Sequence, residues 1–378
     1  WGGGSLRHLS RTSALMLLHN MWHCRIPLFR RGLAPESCML KTSLRHLSAG
    51  VKICGMRYRD NEAGEYGMFY AEWTDASPDV SAHTSGSTGM PKKIMLPKHD
   101  MRLSARATNR FFGIGENSLL VIPLSARYIA GKMMMVRALE ANCRLLCESP
   151  SNHPLAGMDE WAGDDIDLVA IVPSQLDGLI ESPYFGNVRN VIVGGAPLSA
   201  KQEEKAVESG VPFYATYGMT ETCSHVALRR CGDEWYKGLP GVVFSVDDRG
   251  CLVIERNGVT DTTPLVTNDI VELRGDGAFR WIGRADNVII SGGLKVSPEE
   301  VERKICGLIG SPYFIGGECD DKWGEHTVLY IEGKEMPDEL SLLDSLKKVL
   351  KSHEMPRRIV MTDCIPRTEN GKIKRGGL

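Results

Sequence analysis

No apolar run in the 378-residue chain approaches the 18 or so residues that a membrane-spanning helix needs, so no membrane span is expected. Charge of one sign is missing too: 45 Lys and Arg stand against 47 Asp and Glu, a net charge of -2. With no global field to recruit nucleic acid or an anionic surface, the expected partner is a small molecule rather than nucleic acid. Also absent is any C-x-x-C pair among the 11 cysteines. Cys143 and Cys147 lie four apart, but no second pair or nearby histidines complete a zinc site. Reduced thiols, buried for structural reasons in a cytoplasmic protein, are the expectation.

The length suffices for two or three domains at roughly 150 residues each. The first fifty residues hold seven cations (Arg7, Arg11, Arg25, Arg30, Arg31, Lys41, Arg45) against one acid, Glu36, and repeat "SLRHLS" at 5–10 and 43–48. Such composition suits an organelle transit peptide, a cloning-derived leader opening on "WGGGS", or a mistranslated start. Residues 1–60 are therefore set apart as an atypical leader, and no function is assigned to them.

From about Met68 onward, strand-like and helix-like segments alternate. The runs 118–124, 167–173, 190–197 and 212–218 have the short apolar character of buried parallel strands, and 129–141 and 199–209 read as helices between them. This rhythm predicts an α/β fold with a mainly parallel sheet flanked by helices on both faces. Ligands of such folds sit at the carboxyl ends of strands, where the loops "VGGAP" and "TYGMTET" fall. After about residue 241 short strands with turn signals predict a small β-subdomain. A third unit, a small α+β domain over 286–378, follows; in it "SPEEVERKI" places Ser297 as N-cap, Pro298 at the first helical position and Glu300 in a capping box.

The stretch "HTSGSTGMPKK" (83–93) is rich in glycine and hydroxyls and ends in two lysines. A P-loop requires the lysine directly after the last glycine, and Met90 and Pro91 intervene. Two readings stay open on these residues alone: a surface loop, or an anion-binding loop of another build, with backbone N–H groups and hydroxyls around phosphate oxygens and Lys92 adding charge.

Five further stretches accompany it in order: "GGAP" (194–197), "YGMTET" (217–222), "TND" (267–269), "GRADNVIISGGLK" (283–295) and "PRTENGKIKR" (366–375). Together with 84–93 they resemble the adenylate-forming superfamily, the acyl-CoA synthetases and their relatives, over roughly residues 68–378. The resemblance implies ATP, Mg2+ and CoA as cofactor and substrates, with a small carboxylic acid; a homodimer is compatible with it. It implies that Thr84, Ser85, Gly86, Ser87, Thr88, Gly89 and Lys92 embrace the β- and γ-phosphates. By the same likeness Gly194, Gly195, Ala196, Tyr217, Gly218 and Met219 form the adenine pocket, Thr220 stands near the α-phosphate and Glu221 holds Mg2+, a hard ion suited to a carboxylate. Asp269 and Arg284 are implied ribose contacts, although alone they read as a turn residue and a solvated strand end. Lys372 matches the catalytic lysine, which otherwise reads as a solvated charge in a polar tail. Asp286 matches a hinge about which the third domain rotates, withdrawing Lys372 and bringing Gly292 and Gly293 to the path of the pantetheine arm.

Within the superfamily, 123–139 and 217–229 look most like the short o-succinylbenzoate:CoA ligases of menaquinone biosynthesis, whose N-terminal region is abbreviated. Where many relatives carry H-x-x-G after "PL", this chain has Tyr128 to Gly131, and Lys93 replaces the usual glycine after "PK". An aromatic dicarboxylate calls for a cation or hydroxyls at its distal group, and Ser224, His225 and Arg127 are named for that role. Met133 to Met135 read as helix packing. Two alternatives remain: another aryl or fatty acyl-CoA synthetase, expected to show a long apolar tunnel with no cation at its end, and a non-catalytic adenylate-binding protein of the same fold.

Overall fold

The computed structural model describes residues 56–58, 63–84, 92–161, 163–335, 338–367 and 373–375. In chain order the strands of the large unit are β1 (Met56–Tyr58), β2 (Asp79–Thr84), β3 (Lys92–Pro97), β4 (Leu119–Ile122), β5 (Arg144–Cys147), β6 (Leu168–Ile171), β7 (Val191–Val193), β8 (Phe213–Met219), β9 (Ser224–Arg230) and β10 (Lys237–Gly238). Its helices are α1 (Ala63–Thr74), α2 (Lys98–Phe112), α3 (Ile129–Ala141), α4 (Leu176–Ile180) and α5 (Ala200–Glu208). The main sheet runs β1-β5-β4-β6-β7-β8-β9-β10, parallel as far as β8 and antiparallel beyond.

Alternation of side chains along each strand feeds two cores. Leu120, Ile122, Leu168 and Ile192 face α1, α2 and α3 with Tyr66, Met101 and the fully buried Met133, Met134 and Met135. Leu119, Val121, Val169 and Val191 face the other side with Leu176, Leu179 and Ala206. Each fully buried side chain of this kind contributes about 1.5–3 kcal/mol, which is why four-residue strands suffice at the centre of the sheet. Cys143 and Cys147 belong to this interior, and burial pushes the Cys143 thiol up to about 12.

A four-stranded antiparallel sheet follows, β11 (Val242–Val246), β12 (Cys251–Arg256), β13 (Leu265–Leu273) and β14 (Phe279–Arg284), packed on Phe244, Leu252, Ile254 and Phe279. It is the β-subdomain expected after residue 241, with β11 an added edge strand. The last unit contains β15 (Ile289–Ser291), β16 (Leu294–Val296), α6 (Pro298–Lys304), β17 (Tyr313–Asp320), β18 (Gly324–Glu332), α7 (Glu339–Val349) and β19 (Arg358–Thr362). Its strands make a separate sheet ordered β16-β15-β18-β17, with β19 beside β18.

One local expectation is corrected. Ser297 precedes α6 but makes no side-chain cap; its hydroxyl turns to Glu299 Oε2 at 3.4 Å, and no capping box forms with Glu300. A box does form at α5, where Gln202 N–H donates to Ser199 Oγ (3.3 Å) and Ser199 N–H to Gln202 Oε1 (3.0 Å).

Candidate active site

The glycine- and hydroxyl-rich stretch joins two strands of a hairpin. β2 and β3 pair antiparallel from Asp79↔Pro97 to Thr84↔Lys92, so Thr84 and Lys92 stand opposite each other where the loop begins and ends. Ser85, Gly86, Ser87, Thr88 and Gly89 lie outside the described residues, as does Lys372, and of Thr84 only the strand position is described.

The other nucleotide-site expectations converge at the carboxyl ends of β7 and β8. Gly194 and Gly195 follow β7, with Ala196 next. A Cβ on Gly194 would stand 2.7 Å from Thr216 Oγ1, and Gly195 sits at φ +87°, in the left-handed region where only glycine is unstrained. Tyr217 is half-buried at the next strand end, its ring edge-on to Phe279 (5.0 Å between centroids). Its hydroxyl donates to Asp269 Oδ2 at 2.7 Å, while Asp269 Oδ1 receives Trp281 Nε1–H at 3.2 Å and faces Arg284 Nη1 at 3.5 Å. Burial, then the Asp269 carboxylate, drives the Tyr217 hydroxyl well above its ordinary pKa, so it stays protonated and donating. Asp269 and Arg284 are cross-strand partners in β13 and β14, which is how "TND" and "GRAD" meet.

Between β8 and β9 the chain reverses through Thr220–Cys223. Cys223 (φ 55°) and Ser224 (φ 78°) both occupy the left-handed region without being glycine, backbone strain of about 1–3 kcal/mol each that the surroundings must hold in place. Thr222, fully buried, is the brace: its hydroxyl accepts from Met219 N–H (2.9 Å) and donates to Ser224 C=O (2.6 Å). The sequence signal for this, a threonine two residues before the second strand, was passed over. The reversal leaves the Glu221 side chain exposed and Thr220 nearly buried. Gly218 closes the geometry, since a Cβ there would lie 2.2 Å from Ser224 O and 2.5 Å from His225 Cα, both backbone. Gly218→Ala must therefore push β8 and β9 apart. Expected are a stability loss of about 1–3 kcal/mol in denaturant melts and loss of ATP binding by titration calorimetry; unchanged binding would remove this turn from the nucleotide site.

The residues named for the acyl group separate. Arg127, 77% exposed, turns to Glu65 on α1 and is not brought to the others. Ser224 is part of the strained turn, where its carbonyl accepts from the Thr222 hydroxyl. His225, 4% exposed, lines a narrow cleft with Ser104, Ala107, Thr222, Leu239 and Val242. Behind it stands Arg137 of α3, 1% exposed, a residue the sequence reading did not select. Arg137 Nη2 donates to His225 Nδ1 at 3.4 Å, which leaves the proton on Nε2, 3.0 Å from Thr108 Oγ1; that hydroxyl donates to Ser104 C=O at 3.2 Å. Burial first, then the Arg137 charge, keeps His225 neutral, with a pKa well below the ordinary value. Burial alone pulls Arg137 down to about 9. Its Nε has no hydrogen-bond partner, and no carboxylate faces it among the described residues.

Toward the last unit, Arg284 Nη2 donates to Asp286 Oδ2 at 2.6 Å, and Asn268 Nδ2 to Asp286 Oδ1 at 3.1 Å. One guanidinium thus links the expected ribose acceptor to the expected hinge. Gly292 (φ +58°) and Gly293 (φ +80°) make the turn between β15 and β16; Gly292 N–H donates to Trp323 C=O at 2.9 Å, and the indole would meet a Cβ at Gly292 at 2.7 Å.

The Glu221 side chain is exposed, and no cluster of three metal-ligating side chains occurs among the described residues. A single exposed carboxylate fits an ion such as Mg2+ that takes most of its remaining ligands from water and phosphate. No helix of the described residues is long and apolar enough to cross a membrane.

Residues 71–276 match the family of AMP-binding enzymes. The 2-succinylbenzoate–CoA ligase of Listeria monocytogenes is 27% identical over 320 residues, covering 78% of this chain and 68% of that protein. The corresponding ligase of Enterococcus faecalis is 27% identical over 326 residues, with 78% and 67% covered. Among solved structures, an acyl-CoA synthetase (AMP-forming)/AMP-acid ligase II-like protein from Dyadobacter fermentans superposes with a TM-score of 0.57 at 37% identity, covering 83% of this chain and 93% of that one. The o-succinylbenzoate CoA synthetase of Bacillus subtilis, in complex with an acyl-adenylate intermediate, gives 0.68 over 79% and 69% of the two chains; at 22% identity it bears on the fold alone. With strand-end loops, paired Asp269 and Arg284, and a family match over more than half of its length, the chain belongs to the AMP-binding enzymes.

Proposed function

We propose that the chain is an ATP- and Mg2+-dependent, AMP-forming acid:CoA ligase whose acid is o-succinylbenzoate. A carboxylate oxygen attacks the α-phosphorus of ATP and pyrophosphate leaves; the CoA thiolate then attacks the acyl carbonyl carbon and AMP leaves. Both displacements need positioning and charge stabilisation more than covalent help from the protein. In this reading the loop from Thr84 to Lys92 takes the β- and γ-phosphates, Gly194, Gly195, Ala196, Tyr217, Gly218 and Met219 surround the adenine, and Asp269 and Arg284 hold the ribose. Thr220 contacts the α-phosphate, and Glu221 is the carboxylate that would hold Mg2+, which neutralises phosphate charge when bound. Lys372 offsets the charge that develops between acid and α-phosphate. The domain from Asp286 onward then rotates, and Gly292 and Gly293 admit the pantetheine arm. A cytoplasmic location belongs to the same proposal, supported by the free thiols of the described cysteines.

The observation that carries the choice of acid is Arg137. A buried guanidinium that no carboxylate faces among the described residues is costly, and the cost is offset if a substrate brings an anion. A dicarboxylate does so with the carboxylate that does not react, whereas a fatty acid leaves the cation uncompensated. The 2-succinylbenzoate–CoA ligase names of the relatives agree with this choice. A panel of acids in a pyrophosphate-release assay tests it: o-succinylbenzoate is expected to exceed benzoate and decanoate in kcat/KM by at least about 30-fold, the equivalent of about 2 kcal/mol. Equal or better use of decanoate would overturn the assignment.

A further inference from the structure

Thr222 shares the task of holding the reversal between β8 and β9 with side chains from two other elements. Arg256, half-buried as the last residue of β12, donates from Nη1 to Thr222 C=O at 3.2 Å and from Nη2 to Glu221 C=O at 3.4 Å. Ser104 of α2 donates from Oγ to Cys223 C=O at 2.9 Å. With the Thr222 hydroxyl on Ser224 C=O, four successive carbonyls, 221 to 224, are each received by a side chain. Left-handed geometry at Cys223 and Ser224 breaks the regular ladder here, and the acceptors take side-chain donors in its place.

The donors are themselves fixed. Arg256 stands opposite Val242 in the ladder between β11 and β12. The loop beyond it is pinned to α2, where Thr260 N–H and Oγ1–H donate to Asp100 Oδ1 at 2.8 and 2.7 Å and His99 Nε2 donates to Gly258 C=O at 2.9 Å. Asp100 is buried, so this anchor is interior. A guanidinium presents two donors in one rigid plane, which sets the spacing and direction of two adjacent peptide groups together. The first of those groups starts at the Cα that carries the exposed Glu221 carboxylate, so Arg256 governs where that side chain leaves the fold.

We infer that Arg256, seconded by Ser104, is a positioning residue that aims the Glu221 carboxylate at the divalent ion accompanying ATP. This rests on the role proposed for Glu221. Charge alone makes the opposite prediction, because a guanidinium beside a metal-binding carboxylate repels the ion and its removal should tighten binding. Positioning predicts weaker binding. The sign of the change therefore separates the two.

The test uses the full chain, a nonhydrolysable ATP analogue and Mn2+, whose binding is followed by electron paramagnetic resonance. Arg256→Met removes two donors, and Ser104→Ala removes the third without touching charge. Mn2+ affinity of the nucleotide complex is expected to fall roughly 10- to 100-fold in Arg256→Met, the scale for residues that orient a metal ligand, and about threefold in Ser104→Ala, the worth of one neutral hydrogen bond. AMP lacks the β- and γ-phosphates that share the ion, so its affinity should stay within about twofold of wild type in both. Unchanged or tighter Mn2+ binding, a parallel loss of AMP affinity, or Mn2+ binding indifferent to Glu221→Gln overturns the inference. If Arg256→Met does not fold, Ser104→Ala decides: weaker Mn2+ binding with AMP affinity kept supports the inference, and unchanged Mn2+ binding overturns it. Acid-dependent pyrophosphate release by wild type is scored apart; its absence with every acid removes the ligase reading and leaves the metal result to judge Arg256.

Discussion

Arg137→Met is expected to raise the stability of the free chain while crippling its use of a dicarboxylate. Burying a guanidinium against a neutral histidine, with Nε unpartnered, opposes folding; methionine fills much of the same volume without a charge to desolvate. The gain should be about 1–4 kcal/mol, read as a higher midpoint in denaturant melts. If Arg137 holds the second carboxylate as proposed, the same change costs about 2–5 kcal/mol in kcat/KM, or roughly 30-fold to several thousandfold. His225, no longer beside a positive charge, should become easier to protonate. A destabilised variant with unchanged acid preference would mean that Arg137 serves packing and nothing more.

Lys372→Ala should lower acid-dependent pyrophosphate release by roughly 100- to 1,000-fold, the scale for losing one charge aimed at a developing anion in a closed site. ATP affinity should stay within a few-fold, because the hairpin loop, the strand-end glycines and Asp269 remain. Thioester formation from supplied acyl adenylate should persist, which separates the two displacements as no binding measurement does. Equal loss of ATP affinity and turnover would show that Lys372 holds ground-state phosphate instead.

The large elements were legible because their signals are local. Runs such as Leu119–Ile122 and Leu168–Ile171 are apolar on both sides, as strands covered by helices must be, and Ile129–Ala141 appears with the predicted limits. The expected nucleotide contacts were also carried by short stretches, such as "GGAP" at the end of β7 and "TND" opposite "GRAD". What escaped depends on distant segments. Arg137, in "MMMVRAL", looks like the polar face of a helix; only α2 and β9, which bring Asn109, Thr108 and His225 to it, make it interior. Arg127 attracted the acyl role by proximity to the "PL" motif, yet its loop points it at Glu65 across a pairing that no local pattern encodes. Trp281 became a third donor to Asp269 through the register shift between Ile270 and Val271, which leaves Ile282 unpaired beside Gly283 and depends on the pairing of two strands rather than on either strand alone. Ser297 had the residues of a cap and lost it to Glu299, whose carboxylate is held toward Asn287 and Arg375.

The central claim is that one chain first joins the acid to AMP and then passes it to a thiol, and isotope transfer tests it most directly. o-Succinylbenzoate labelled with 18O in its carboxylates is incubated with ATP, Mg2+ and CoA, and the products are weighed by mass spectrometry. The proposed chemistry places one labelled oxygen in the phosphate of AMP for every thioester formed, because that oxygen bridges acyl carbon and α-phosphorus before the thiol expels it. Thioester accompanied by unlabelled AMP, or label appearing in inorganic phosphate, would contradict it.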